Sequence, residues 1–203
     1  MKINREKVEQ LVRTMKPLFT DSSRASQIKT KGACDYVTQV DIQVQKLIKE
    51  GLYQMYPQVQ FMGEEQDNTA IDRKGDFWIL DPVDGTTNLI HDFRHSTLSL
   101  AYAEAGTVEL GIVYQPYTDE MFVAVKGKGA FLNGKPIHVS EAKTLSESLV
   151  TIGTSPYYHE LADWIFKVFK EVFLSCQDIR HLGSAALDMA YVACGRVDAF
   201  FEA

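Results

Sequence analysis

The sequence predicts an α+β fold of layered sheets and helices, on three observations. Helical periodicity opens the chain, a run of short strands with turn signals fills its middle, and helices and strands then mix without strict alternation. Regular βαβ alternation would have pointed to a parallel doubly wound sheet, and strands alone to a sandwich or barrel.

Val8, Leu11, Val12, Met15, Leu18 and Phe19 recur at steps of three and four, the spacing of one amphipathic helix. A polar loop is expected over residues 21–33. A second helix should start near Thr38 and bury Val44, Leu47, Ile48 and Leu52. Gln60-Phe61-Met62 reads as a short strand running into Gly63-Glu64-Glu65. Residues 77–80 read as a buried strand that stops at Asp81-Pro82, because proline cannot donate to a ladder. Residues 97–104, 108–114 and 121–125 form an antiparallel meander punctuated by Gly106 and by Pro116 to Asp119, and Asn133-Gly134 is a two-residue hairpin turn. There follow a strand over 149–152, a helix over 161–173, a short strand at Ile179, a helix from about Ser184 to Ala193 and a strand over 197–201. No repeat or low-complexity linker intervenes. The expected organisation is an N-terminal lobe over residues 1–145 and the start of a second lobe over 146–203. The last strand runs out without a cap, turn or polar tail, so the sequence is expected to be a fragment of a longer chain.

The chain has 203 residues, 45% of them apolar and 24% charged. A chain of this size buries about 70% of its unfolded surface and folds without disulfides or a structural metal. Lys and Arg number 21 against 27 Asp and Glu, a net charge of −6 with no basic run. That balance argues against nucleic acid or an anionic membrane as a partner. The first segment carries charges throughout and no apolar stretch has the length of a signal core or a span, so a cytoplasmic protein is expected. Cys34, Cys176 and Cys194 are odd in number and far apart, which suits reduced thiols rather than a bridge or zinc site.

Asp41, Glu64, Glu65, Asp81 and Asp84 sit where surface solubility does not require them. Asp81 follows Trp-Ile-Leu, and Glu64 follows Phe-Met-Gly, so both lie at the mouths of apolar strands. Carboxylates converging there repel one another in low dielectric, and a divalent cation relieves the repulsion; Mg2+ takes about six oxygens, several of them from water. Asp84-Gly85 alone reads equally well as turn chemistry. The residues after it add weight: Gly85-Thr86-Thr87-Asn88 leads into Leu89-Ile90, a glycine-opened helix start of the kind that seats phosphate. Metal carboxylates beside an anion seat describe a phosphate held against metal ions.

Gly63-Glu64-Glu65, followed after a spacer by Trp78-Ile79-Leu80-Asp81-Pro82-Val83-Asp84-Gly85-Thr86-Thr87-Asn88, resembles the two signature motifs of the inositol monophosphatase family. These are Mg2+-dependent, lithium-sensitive phosphomonoesterases related to fructose-1,6-bisphosphatase. Asp35-Tyr36-Val37-Thr38-Gln39-Val40-Asp41 resembles the family's D-x-V-T-x-x-D segment, Gly129 to Gly134 its G-A-x-x-N-G hairpin, and Arg180 with Gly183-Ser184-Ala185-Ala186 its R-x-x-G-[ST]-A-A helix start. The resemblance covers nearly the whole chain. It implies a layered αβαβα sugar-phosphatase sandwich with a mainly antiparallel N-terminal sheet and a smaller C-terminal sheet. It also implies hydrolysis of a polyol or sugar phosphate by a metal-activated water, two or three Mg2+ ions, Li+ as an inhibitor, and a homodimer.

Residue by residue, the resemblance makes Glu64, Asp81 and the Val83 carbonyl ligands of a first Mg2+, with Asp81 shared with a second ion that also takes Asp84. Glu64 and Thr86 would orient the attacking water, and Asp41 would hold Thr86. Gly85, Thr86 and Thr87 would seat the phosphate. Ala185 and Glu202 resemble positions that contact the polyol, with Arg180 and Gly183 close by. Lys31 and Glu65 are accessory to the metals. The family's W-D-x-A-A-G motif, which supplies a further aspartate to the second ion, is absent from this sequence.

Other chemistries fit less well. A haloacid-dehalogenase-type phosphatase places its two aspartates two apart, whereas Asp81 and Asp84 are three apart with Pro82 between. Gly129 to Lys135 has P-loop spacing but is followed by Pro136, which offers neither hydroxyl nor N–H. His91 to His95 has zinc-protease spacing with Asp where the base should be glutamate. A non-catalytic interaction protein on the same scaffold remains the alternative from another class.

Overall fold

The computed structural model describes residues 3–21, 28–32, 35–156 and 158–202; for residues 28–32, 35 and 36 it describes the backbone alone. Lys31 therefore has a described backbone and no described side chain, and Cys34 lies outside the described residues.

Helix α1 (Arg5–Arg13) is capped by Asn4, whose side chain accepts the Lys7 N–H at 3.1 Å. The single helix expected from the periodicity breaks at Thr14-Met15, and α2 (Lys16–Thr20) begins anew with Pro17 in its first turn, where a missing N–H is tolerated. The apolar stripe survives the break: Val8, Val12, Met15, Leu18 and Phe19 are all buried. The expected loop over 21–33 contains a strand instead. Residues of β1 (Ile28–Gly32) pair antiparallel with β2 (Asp35–Thr38), a hairpin too short and polar to show in a hydrophobic pattern.

Helix α3 (Gln39–Met55) starts where expected. Thr38 accepts the Val40 N–H while Asp41 accepts the Thr38 N–H at 2.8 Å, a reciprocal capping box. Its buried stripe is Val40, Val44, Ile48 and Leu52; Leu47, expected inside, is 42% exposed because it falls one helical position off that stripe. Ile48 packs between α1 and the sheet with no exposure, so Ile48→Val should cost about 1 kcal/mol in urea denaturation.

A seven-stranded sheet forms the body. β3 (Gln60–Gly63) lies parallel to β4 (Asp76–Asp84), and β5 (Thr97–Glu104), β6 (Thr107–Gln115), β7 (Glu120–Val125), β8 (Gly129–Leu132) and β9 (Lys135–Pro136) follow as antiparallel neighbours. Asn133 and Gly134 both take positive φ, as the expected hairpin requires. Leu98, Leu100, Tyr102, Ile112 and Met121 face the core beneath α1–α3, and the alternate residues Val113 and Phe122 face the other way.

A smaller parallel sheet has β10 (Leu149–Ile152) at its centre, flanked by β11 (Asp178–Arg180) and β12 (Ala199–Phe201). Helix α5 (Ala162–Ser175) covers one face, placing Ile165 and Phe169 on Val150 and Ile152. Helix α6 (Ala185–Ala193) fills the space between the two sheets, where Leu187, Ala190 and Tyr191 meet Phe122, Val113 and Leu149. The layers therefore run α1–α3, large sheet, α6, small sheet, α5, which is the expected αβαβα order.

Candidate active site

β4 does not stop at Asp81 as the apolar run suggests. It stays paired with β5 to its end: Asp81 lies opposite Ser99 and Asp84 opposite Thr97. Three steps along β4 thus match two along β5, so β4 carries one extra residue, a bulge. In a regular strand, residues three apart point to opposite faces. The extra residue brings Asp81 and Asp84 back to one face, and Thr97, whose hydroxyl lies 3.2 Å from that of Ser184 at the start of α6, marks it as the α6 face.

Glu64 arrives through the parallel pairing of β3 with β4. Gly63 lies opposite Leu80, and the Glu64 N–H donates to the Leu80 carbonyl at 3.2 Å, so the chain leaves β3 beside Asp81. Gly63 permits this because a Cβ there would stand 2.4 Å from Oε1 of Gln45, and that oxygen accepts the Glu65 N–H at 2.9 Å. Helix α4 (Thr86–Ile90) opens at Gly85, whose φ is +88°. A side chain at Gly85 would also meet the Gly183 carbonyl at 2.9 Å and the His95 carbonyl at 3.1 Å. Asn88 of α4 donates to the Leu182 carbonyl at 2.6 Å, fastening the loop before α6 to the turn after β4.

The side-chain network matches these placements. Asp84 Oδ2 accepts from Ser184 Oγ at 2.5 Å and from the Ala186 N–H at 2.8 Å. Asp41 Oδ2 is held by Thr38, and its Oδ1 accepts from Thr86 Oγ1 at 3.3 Å; the same hydroxyl lies 3.0 Å from the Val83 carbonyl. Ser184 caps α6 as well as holding Asp84, so Ser184→Ala should cost about 1–2 kcal/mol, read as a lower urea midpoint at unchanged slope.

The electrostatics are those of acids crowded out of water. Burial, then the charges of Glu64 and Asp84, push Asp81 up to about 8, and its carboxyl shares a hydrogen bond with Glu64. Asp84 and Asp41 are also raised, each by burial first and against hydrogen bonds that favour the charged form. Asp188 went unnoticed in the sequence. It is 1% exposed, one of its oxygens finds no hydrogen-bond partner among the described residues, and burial together with the charges of Asp84 and Glu202 pushes it up to about 7. Its signal was there: an aspartate inside the otherwise apolar run Ala185 to Ala193.

The remaining expected residues fall around this centre. Gly183 abuts Gly85 and Asn88, and the Ala185 N–H contributes to holding Asp84. The Glu202 carboxylate lies over Gly153, where a Cβ would be 2.4 Å from its Cδ, at the carboxyl end of the small sheet. Arg180 is exposed at the end of β11 and bonds Asp178. Thr87 is exposed on α4.

The donor set suits a hard dication. The carboxyl oxygens are desolvated and mutually repelling, and one acid pair, Asp81 with Glu64, shares a hydrogen bond. Among the described residues no three acidic, histidine or cysteine side chains are gathered tightly enough to enclose an ion as they stand. Asp81 pairs with Glu64 while Asp84 is drawn to α6. Among the described residues no helix is long and apolar enough to cross a membrane.

The model of the inositol monophosphatase family matches residues 2–203. The chain is 39% identical over 176 residues to Nus factor SuhB of Xylella fastidiosa, covering 85% of this chain and 62% of that protein. It is 37% identical over 176 residues to inositol-1-monophosphatase of Rhizobium meliloti, covering 87% and 66%. It therefore spans about two thirds of the length of these relatives. The solved structure of extragenic suppressor protein suhB from Bartonella henselae superposes with a TM-score of 0.91 at 31% identity, over 97% of this chain and 77% of that one. The chain belongs to the inositol monophosphatase family.

Proposed function

We propose that the protein hydrolyses a small phosphate monoester, myo-inositol monophosphate or a related polyol or sugar phosphate, with Mg2+ as cofactor. The observation that carries this reading is the β4 bulge, which turns Asp81 and Asp84 to one face beside Glu64 and next to the Gly85-Thr86 helix start. Bound at Glu64, Asp81, Asp84 and the Val83 carbonyl, Mg2+ would supply water activation and neutralise the leaving oxygen.

The chain's own groups do the rest. The Thr86 hydroxyl, its proton directed to Asp41 or Val83, is left with lone pairs that accept a hydrogen bond from the attacking water and so orient it. Glu64 is the second acceptor for that water. The first N–H groups of α4, at Thr86 and Thr87, face the phosphoryl oxygens. A P–O bond to the water oxygen forms as the ester P–O bond breaks; the water gives up one proton through Glu64 to solvent and the departing alkoxide takes one from solvent, leaving alcohol and phosphate. Ala185 and Glu202, the latter lying over bare Gly153, receive the polyol hydroxyls, with Gly183 and Arg180 beside them. Glu65 steadies the turn behind Glu64, and Lys31 on the β1–β2 hairpin is assigned as accessory. Li+ would compete for a cation position. A cytoplasmic homodimer is the expected form.

The test is phosphate release from inositol 1-phosphate, fructose 1,6-bisphosphate, a 3′-phosphoadenosine nucleotide and NADP, with Mg2+ and with Li+ added. Release from at least one, abolished by EDTA and depressed by Li+, is expected; none from any overturns the reading. A second reading rests on the Nus factor name that several relatives carry: the scaffold would then serve protein interaction without turnover, and a protein that folds yet releases no phosphate would favour it.

A further inference from the structure

Helix α3 carries two stripes. The apolar one, Val40, Val44, Ile48 and Leu52, enters the core. Beside it runs a polar one, Asp41, Gln45 and Lys49, at the four-residue step that puts side chains on one face. Asp41 is 1% exposed and Gln45 8%, and a polar side chain removed from water needs a hydrogen bond in exchange. Each member of the stripe grips a different piece of the chain around the site. Asp41 accepts from Thr86 Oγ1 at 3.3 Å, Gln45 Oε1 accepts the Glu65 N–H at 2.9 Å, and Lys49, at the exposed end, donates to Gln66 at 2.8 Å.

The Gln45 bond acts on Glu64 through the backbone. Two peptide planes flank a Cα, and fixing both fixes φ, ψ and the direction of Cβ. The plane before the Glu64 Cα is held by the Glu64 N–H on the Leu80 carbonyl at 3.2 Å and by Asn68 Nδ2 on the Gly63 carbonyl at 2.7 Å. The plane after it is held by Gln45 through the Glu65 N–H. The Gln45 amide lies so close over Gly63 that a Cβ there would stand 2.7 Å from its Cδ, so the packing of helix against turn locks the amide in place.

We propose that Gln45 is a positioning residue: through the Glu65 N–H it sets the direction of the Glu64 side chain. One helix then places both acceptors of the attacking water, Thr86 through Asp41 and Glu64 through Gln45. This rests on the phosphatase reading and adds to it a residue that touches neither metal nor substrate.

The test compares Gln45→Met, which keeps the length of the side chain and removes the acceptor, with Gln45→Glu, which keeps the acceptor. Mn2+ binding is followed by loss of the free ion's electron paramagnetic resonance signal, and phosphate release is measured on the substrate that the wild type turns over fastest. Gln45→Met should weaken Mn2+ binding and raise the half-saturating Mg2+ concentration about tenfold, as loss of a group that orients a metal ligand does. Its KM for substrate should stay within about twofold, since Gln45 does not reach the phosphate seat. Gln45→Glu should return both metal constants to within about threefold of wild type. A merely structural role would lower the melting temperature and leave the metal constants alone. Should Gln45→Met fail to fold, Gln45→Asn, which withdraws the amide by one methylene, takes its place with the same expected loss. Metal constants within twofold of wild type in the folded variant, or an equal loss in Gln45→Glu, overturn this inference alone. Wild-type protein that neither holds Mn2+ nor releases phosphate overturns the phosphatase reading and this inference with it.

Discussion

Asp84→Asn should leave a folded protein whose phosphate release falls by about a thousandfold or more. The amide oxygen of asparagine can still accept from Ser184 Oγ and the Ala186 N–H, so the tie between β4 and α6 survives the change. What disappears is the negative charge, in a place where burial already makes each charge matter. Circular dichroism should show the wild-type spectrum and a melting point no lower than that of the parent without metal. Removing a charge from a crowd of acids also relieves repulsion on Asp81, so the metal-free variant should be no less stable. Turnover within tenfold of the parent at saturating Mg2+ would remove Asp84 from the reaction.

Metal-free protein should lose stability as pH rises, the reverse of the common carboxylate behaviour. Asp81 is pushed up to about 8 and Asp188 up to about 7, both far above the ordinary value of 3.8. A raised carboxyl binds more protons folded than unfolded between the two values, so the folded state is penalised progressively as pH climbs through that window. Discounted for the water that reaches Asp81, the two together are worth about 2 kcal/mol, or about 4–8 °C in melting temperature between pH 5 and 8. Mg2+ binds the ionised acids, so it should raise the melting temperature more at pH 8 than at pH 5. Asp81→Asn should flatten the metal-free profile. A melting temperature that climbs from pH 5 to 8 without metal, or an equal Mg2+ effect at both, contradicts this account of the site.

Much of this architecture was legible because strong local signals agreed with the packing. The pattern from Val44 to Leu52 placed the start of α3 near Thr38, Asn133-Gly134 marked a hairpin, and the apolar run Phe77 to Leu80 showed the burial of β4. The misses have physical reasons. The stripe from Val8 to Phe19 is continuous in space although its backbone breaks at Met15, so periodicity alone could not separate α1 from α2. The strand in the polar stretch after Asp21 is made of Ile-Lys-Thr-Lys-Gly, too polar to stand out. Within the site, Glu64, Asp81, Asp84 and Thr86 could be picked out as residues, but not the device that aligns them, because a bulge is a property of pairing with β5 and leaves no mark on β4 itself. Asp188 escaped because its partners, Thr151, Asp84 and Glu202, are distant in the chain.

The bulge has an arithmetical corollary. Inserting one residue between Thr97 and Ser99 would keep every acid in the chain and every strand in the sheet, yet would restore even counting between β4 and β5 and swing Asp84 to the far side of the sheet from Ser184. Inheritance at this spot is therefore of an uneven count between two strands as much as of amino acids. A homologue that conserves both aspartates but gains a residue opposite them on β5 should be read as disarmed.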